Sequence, residues 1–229
     1  REALDKLLQK RSEPAPLATK EITLPEYAEH EVGMIPQLAA RFETAAQLPG
    51  AEYLAKLRYL ILPIREADAV PQPLRCKTLL ELPRAAFGTV EPDTMRRLAA
   101  LEGSGFAGVV ANNLAQFGYA SPLPVFGGLG LNVTNPMSAA EYVCLGARGL
   151  LVQPETALTA MRAVAPRQKD GTPVPTAALC YGHLPLMLTR ACPLRNVRTS
   201  CVGCTHKGKL RDRKGRDFPV RCSAPGSAG

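Results

Sequence analysis

From Lys56 onward the chain alternates short apolar runs with amphipathic stretches, and this alternation is its main structural signal. Lys56–Ile64 (KLRYLILPI) and Leu74–Leu82 (LRCKTLLEL) read as the first two strands. A helix follows over Pro92–Glu102, with Pro92 near its first turn and Gly103 just past its end. Next come a strand at Phe106–Ala111, a short helix at Leu114–Ala120 and a strand at Pro124–Val133. A helix over Ser138–Gly146 has Ser138 as its N-cap and Glu141 at the capping-box spacing. A strand at Gly149–Val152, a helix at Glu155–Val164 and a strand at Thr176–Tyr181 complete the series. Ahead of it stand a helix at Arg1–Arg11, a proline-broken spacer at Glu13–Pro25 and a second helix over Pro36–Gln47. In that second helix Leu38, Phe42 and Ala45 recur at helical spacing.

Strands alternating with helices at this spacing imply parallel strands joined by crossover helices. The strands are nearly continuous apolar runs, as expected when both faces of a sheet are covered. About six are predicted, where a full barrel needs eight and about 250 residues. The expected fold is therefore α/β, a partial (β/α) TIM-like barrel. Three parts follow: a helical lead-in over 1–50, a half-barrel over 51–183 and a basic, cysteine-rich segment over 184–229.

Several predicted strands end in polar residues: Glu81 and Arg84; Asn112 and Asn113; Asn132, Thr134 and Asn135; Gln153 and Glu155; Tyr181 and His183. Carboxyl ends of strands are where parallel α/β folds build their sites, so the recurrence predicts one polar mouth. Helix capping is the competing account, and it is the preferred one for Asn113 and Asn135. The glycines of VFGGLGLN do not open a helix, so close backbone packing explains Gly127, Gly128 and Gly130 better than a phosphate loop.

Charge changes the picture at the C-terminus. Ten of the 28 Lys and Arg lie between Tyr181 and Cys222, against only Asp212 and Asp217, which leaves eighteen of each sign elsewhere. The net +8 is thus a local property, one suited to a polyanion such as RNA or to offsetting a negatively charged cluster. Lys207, Lys209, Arg211 and Arg213 are the candidate nucleic-acid contacts. No run approaches the eighteen or so apolar residues of a membrane span, and the N-terminal helix lacks the core of a signal peptide, so a cytoplasmic location is expected.

The same stretch holds Cys192, Cys201, Cys204 and Cys222 at C-x8-C-x2-C-x17-C spacing. Read from the residues alone, four thiols fit a structural zinc site first, although only one pair is close, and an iron–sulfur cluster second. His206 is a possible substitute ligand. Cys76, Cys144 and Cys180 sit in apolar segments and read as buried hydrophobes. Strand alternation puts Cys180 and His183 on opposite faces, which argues against a Cys–His dyad unless the strand ends between them. Serine-hydrolase and metalloprotease motifs are absent, and the chain has three histidines, His30, His183 and His206. Glu81 and Glu155 remain as paired carboxylates.

ELPR (81–84), VANNLAQF (110–117), LGLNVTN (129–135) and the closing YGHLPLMLTRACPLRN…CVGC…LRDRKGRDFPVRC resemble the peptidase U32 family, the collagenase-like peptidases. ARFETAAQLPG (40–50) resembles the segment that follows an inserted domain in its longer members. The resemblance implies a barrel-type fold and, in several members, a [4Fe-4S] cluster on cysteines matching Cys192, Cys201, Cys204 and Cys222. It implies two activities: proteolysis, or oxygen-independent hydroxylation of an RNA base or a quinone precursor. It carries Glu81, Asn112, Asn132 and Glu155 as strand-end catalytic candidates. The family's early strands have no counterpart in this sequence, which implies that a further part of the barrel lies upstream. With the resemblance added, the expected function is RNA hydroxylation on an iron–sulfur enzyme. A peptidase acting on protein, or a non-catalytic zinc-binding accessory domain, is the alternative.

Overall fold

The computed structural model describes residues 2–12, 35–86, 88–119, 123–189, 191–194, 204–205 and 207–222. Seven strands form one sheet: β1 (Leu38–Arg41), β2 (Leu57–Pro63), β3 (Thr78–Glu81), β4 (Gly108–Ala111), β5 (Val125–Gly127), β6 (Ala147–Val152) and β7 (Thr176–Ala178). Every neighbouring pair is parallel, and the strand order is the chain order. A doubly wound sheet reverses order at a switch point, whereas a sheet that advances one strand per crossover follows barrel topology. The fold is a partial (β/α) barrel.

Ring contacts show how far the sheet curls. Tyr59 on β2 and Phe126 on β5 meet edge to face, with centroids 5.5 Å apart. Three inter-strand steps separate those strands, about 14 Å in a flat sheet. Phe126 gains its room from bare backbone: a Cβ on Gly108 or Gly149 would lie 2.9 or 2.7 Å from its ring. The opposite face of the sheet packs on helices. Leu62, Leu80, Leu82 and Val109 join Leu98 and Leu101 of the helical layer, which includes α4 (Val90–Ala100). Val133, Leu150 and Val152 form a second cluster with Ala139 and Val164, beside α5 (Pro136–Cys144) and α6 (Leu158–Ala163).

All six expected strands are present, several of them shorter. The expected helix over Pro36–Gln47 is not formed: Leu38–Arg41 is the seventh strand, followed by a 3₁₀ turn at Ala45–Gln47. Its helical spacing is overridden by pairing with β2 and by Phe42, whose amide donates to Ile61 O at 2.9 Å while its ring packs on the core. The expected strand at Leu74–Leu82 begins as a short helix, Gln72–Arg75, with β3 starting only at Thr78. The strand expected over Pro124–Val133 ends at Gly127, and Leu129–Leu131 form a 3₁₀ turn. Ser138 is not the N-cap of α5. Asn135 is, its Oδ1 accepting from Ser138 N at 2.9 Å, as capping predicts for Asn135. Asn113 likewise caps the turn after β4, accepting from Gln116 N.

Cys76, Cys144 and Cys180, expected to be buried, are all exposed. Cys76 and Cys144 sit at the ends of helices and Cys180 lies beyond the last residue of β7, so none has a sheet layer above it. The first helix, Glu2–Ser12, is exposed along its whole length. The spacer at Glu13–Pro25, together with His30, Cys201 and His206, lies outside the described residues. No helix among the described residues is long and apolar enough to cross a membrane.

The C-terminal segment, expected only as a basic, cysteine-rich stretch, contains two strands. Lys207–Arg211 (β8) and Asp217–Arg221 (β9) pair antiparallel. Asp212 closes the turn by accepting from Lys214 N and Arg216 N, each at 2.8 Å, and Gly215 takes a φ of 78°.

The glycine turn after β5 is pressed against β4, as close packing predicts. A Cβ on Gly130 would stand 2.0 Å from the Asn112 carbonyl oxygen, which is backbone and has no rotamer to escape into. Gly130→Ala should therefore lose about 1–3 kcal/mol of stability. Gly118→Ala, with open space around it, should stay within about 0.5 kcal/mol. Urea denaturation midpoints of the two variants test this, and equal midpoints would contradict it.

Candidate functional site at the carboxyl ends of the strands

Register determines which side chains share the concave face. Arg41, Ile61, Leu79 and Gly108 are successive partners, and so are Pro63, Glu81, Val110 and Phe126. Arg41 and Glu81 therefore emerge on one face, two strands apart, and Arg41 Nε donates to Glu81 Oε2 at 2.7 Å. Arg41 Nη1 also donates to Glu43 Oε2 at 3.0 Å, and Glu43 Oε1 takes Arg65 Nη2. Glu66 closes the row, its Oε2 accepting from Ala45 N at 2.9 Å. Acids and bases thus alternate across the carboxyl ends of the first three strands.

These contacts shift the protonation of Arg41 and Glu43. Burial works against charge on Arg41, but the charge and hydrogen bonds of Glu81 and Glu43 outweigh it and hold the guanidinium above its ordinary range. Burial likewise opposes ionisation of Glu43, and Arg65 and Arg41 overcome it, so its carboxyl lies below the ordinary 4.5. Arg84 differs: burial lowers it, Glu81 pulls it back up and Arg41 pushes it down again.

Three side-chain amides from the β4 exit hold the loop that carries Arg84. Asn112 Nδ2 donates to Leu82 O at 3.0 Å, Gln116 Nε2 to Pro83 O at 2.7 Å and Asn113 Nδ2 to Arg84 O at 3.4 Å. Asn112 Oδ1 also accepts from Gly130 N at 3.2 Å, and Asn112 N donates to Gln116 Oε1 at 2.6 Å. Asn112 and Gln116 are only 3% and 1% exposed, so they act on backbone and not on anything arriving from solvent. Of the other expected site residues, Asn132 is exposed with φ 58°, and its Oδ1 accepts from Gln153 Nε2 at 2.5 Å. Glu155 is exposed on the loop after β6. Tyr181 and His183 are exposed beyond β7. That strand ends at Ala178, before both Cys180 and His183, so strand alternation says nothing about the pair. Cys180 Sγ donates to Ala178 O at 3.5 Å.

The β8–β9 hairpin is two-sided. Lys207, Lys209 and Arg211 alternate onto one face with Asp217 and Arg221, while Gly208, Leu210, Phe218 and Val220 take the other. On the charged face Asp217 is bonded by Arg211 at 2.8 Å and Lys209 at 3.1 Å, which lowers its pKa and leaves four cations against one carboxylate. Arg213 sits in the turn. On the apolar face a Cβ at Gly208 would meet Leu194 Cδ2 at 2.2 Å. Cys204 and Cys222 flank the open end of this hairpin, and Leu194 brings Cys192 toward the same end. All three are half-buried, and Cys192 and Cys222 are free thiols. Among the described residues no three His, Cys, Asp or Glu stand together in a group able to hold a metal ion.

No protein-family model matches the chain, and no curated protein matches it. The solved structure of the U32 peptidase Mk0906 is similar to it, with a TM-score of 0.45 and 13% identity over 63% of this chain and 72% of that one. A likeness at that distance adds nothing to the strand order described above.

Arg41, Glu43, Arg65 and Glu66 were absent from the expected site. Reading Pro36–Gln47 as a helix hid the first two. A usable signal was present for the others, since Arg65 and Glu66 directly follow the apolar run of β2. The Glu43 pairings have a pH consequence. Because its folded pKa is depressed, its stabilising effect is complete above 4.5 and fades as pH falls through the lowered value. Glu43→Gln should be less stable than wild type at neutral pH, with the gap closing below 4.5. Thermal melts across an acid pH series read this out, and a gap independent of pH would refute it.

Proposed function

We propose that the chain is part of a U32-type enzyme that hydroxylates an RNA base without molecular oxygen, using a [4Fe-4S] cluster on Cys192, Cys201, Cys204 and Cys222. The observation that carries this reading is the hairpin. It folds Cys222 back toward Cys204 across seventeen intervening residues and presents four cations on one face. Cysteine sulfurs are the donor type that an iron–sulfur cluster takes. When bound, such a cluster supplies one-electron redox chemistry, for which peptide hydrolysis has no use.

The chain's own residues take distinct parts in this reading. Glu81, oriented by Arg41, is the carboxylate that would orient a base or accept a proton at the mouth. Asn132 and Glu155, on the loops after β5 and β6, would contribute polar contacts to substrate. Asn112 acts from beneath, by fixing the loops. Lys207, Lys209, Arg211 and Arg213 attract the phosphate backbone. The peptidase alternative lacks comparable support, because Cys180 directs its thiol to a backbone carbonyl and not to His183.

Anaerobic purification followed by metal analysis tests the redox part. Iron with acid-labile sulfide is expected, and zinc in its place would overturn the reading in favour of a zinc-binding accessory domain. For the RNA part, replacing Lys207, Lys209, Arg211 and Arg213 together by Ala should abolish binding of a single-stranded RNA oligonucleotide in fluorescence anisotropy. Undiminished binding would remove the assignment.

A further inference from the structure

We propose that Arg84 is an anion anchor at the mouth, its guanidinium taking a phosphate oxygen of the substrate; the choice of phosphate rests on the RNA reading above. The first ground is its mounting. The three successive carbonyls of Leu82, Pro83 and Arg84 are each held by a side-chain amide, from Asn112, Gln116 and Asn113. Burying two amides to fix one short loop is demanding, since every one of their polar atoms then needs a partner. What the loop delivers to the mouth is the Arg84 side chain.

The second ground is what the guanidinium lacks. Arg84 is half-buried, yet among the described residues its side chain makes no hydrogen bond and no ion pair. Glu81 is near enough to attract it electrostatically, but Glu81 is already bonded to Arg41 at 2.7 Å. Every carboxylate of the row is thus engaged before Arg84 is reached, and what this guanidinium lacks is a bonded acceptor. A partly desolvated guanidinium with five donors and no bonded acceptor is an unfinished site, and an incoming oxyanion completes it. Phosphate is favoured over a peptide carboxylate because every nucleotide carries one. The hairpin's four cations against one carboxylate are a second surface of the same chain suited to a polyanion.

Two measurements on the full chain test this. In the first, the Arg84 Nε–Hε resonance is followed by NMR during titration with inorganic phosphate and, separately, acetate. A saturable shift with phosphate and a weaker one with acetate is expected. No shift with phosphate, or an equal one with acetate, overturns the proposal. In the second, single-stranded RNA binding is compared for wild type, Arg84→Ala and Arg84→Lys over a salt series. The alanine variant should bind about tenfold more weakly and lose about 0.7 from the log–log salt slope, with lysine restoring the slope. RNA binding unchanged in Arg84→Ala sinks the anchor and leaves the RNA reading standing. A phosphate-dependent shift without any wild-type RNA binding supports the anchor and sinks the RNA reading instead.

Discussion

A single buried side chain ties the architecture together. Asn112 reaches from the end of β4 to the loop after β3 with its amide nitrogen and to the turn after β5 with its oxygen. A parallel sheet leaves the carboxyl ends of its strands without ladder partners, and the loops there are free to wander unless something pins them. Asn112, with Gln116 behind it, supplies those partners across three consecutive strands. The glycines opposite are its complement: a side chain at Gly128 or Gly130 would strike Asn112 itself. The loop geometry of the mouth follows from that interlock.

The charged row is layered on top. β1 ends two residues below β2 and β3 in register, and the long side chains of Arg41 and Glu81, on the same face, span that step although they are far apart in sequence. Arg41 and Glu81 are forty residues apart and directly bonded. The row is nearly self-neutralising, and this gives Arg84 its distinct character, since each acid is already bonded elsewhere in the row.

Strand alternation and the recurrence of polar residues at strand ends were legible in the chain, because both depend on local pattern. The parts that were not legible depend on tertiary pairing. Leu38–Arg41 has helical spacing and becomes a strand only because β2 offers a ladder. Asn112 looked like a catalytic amide because sequence gives identity without direction, and its contacts turn it toward backbone. The hairpin was obscured by composition, since its lysines, Gly208, Asp217 and Pro219 are all poor strand formers. Its turn chemistry at Asp212 and Gly215 was the readable clue. Of the three cysteines read as buried, Cys76 and Cys180 were misplaced by strand boundaries a few residues out, whereas Cys144 lies in the expected helix but on its exposed side.

The sequential strand order has a colloidal consequence. A sheet that never doubles back has two outer strands, and these bear unpaired amides that can template contact with other chains. Among the described residues those strands are β1 and β7, of four and three residues, whereas β2 beside β1 has seven. Each margin thus exposes only a few unsatisfied groups, and β1 ends in a charged arginine. Outer strands this short limit how strongly one copy can zip onto another.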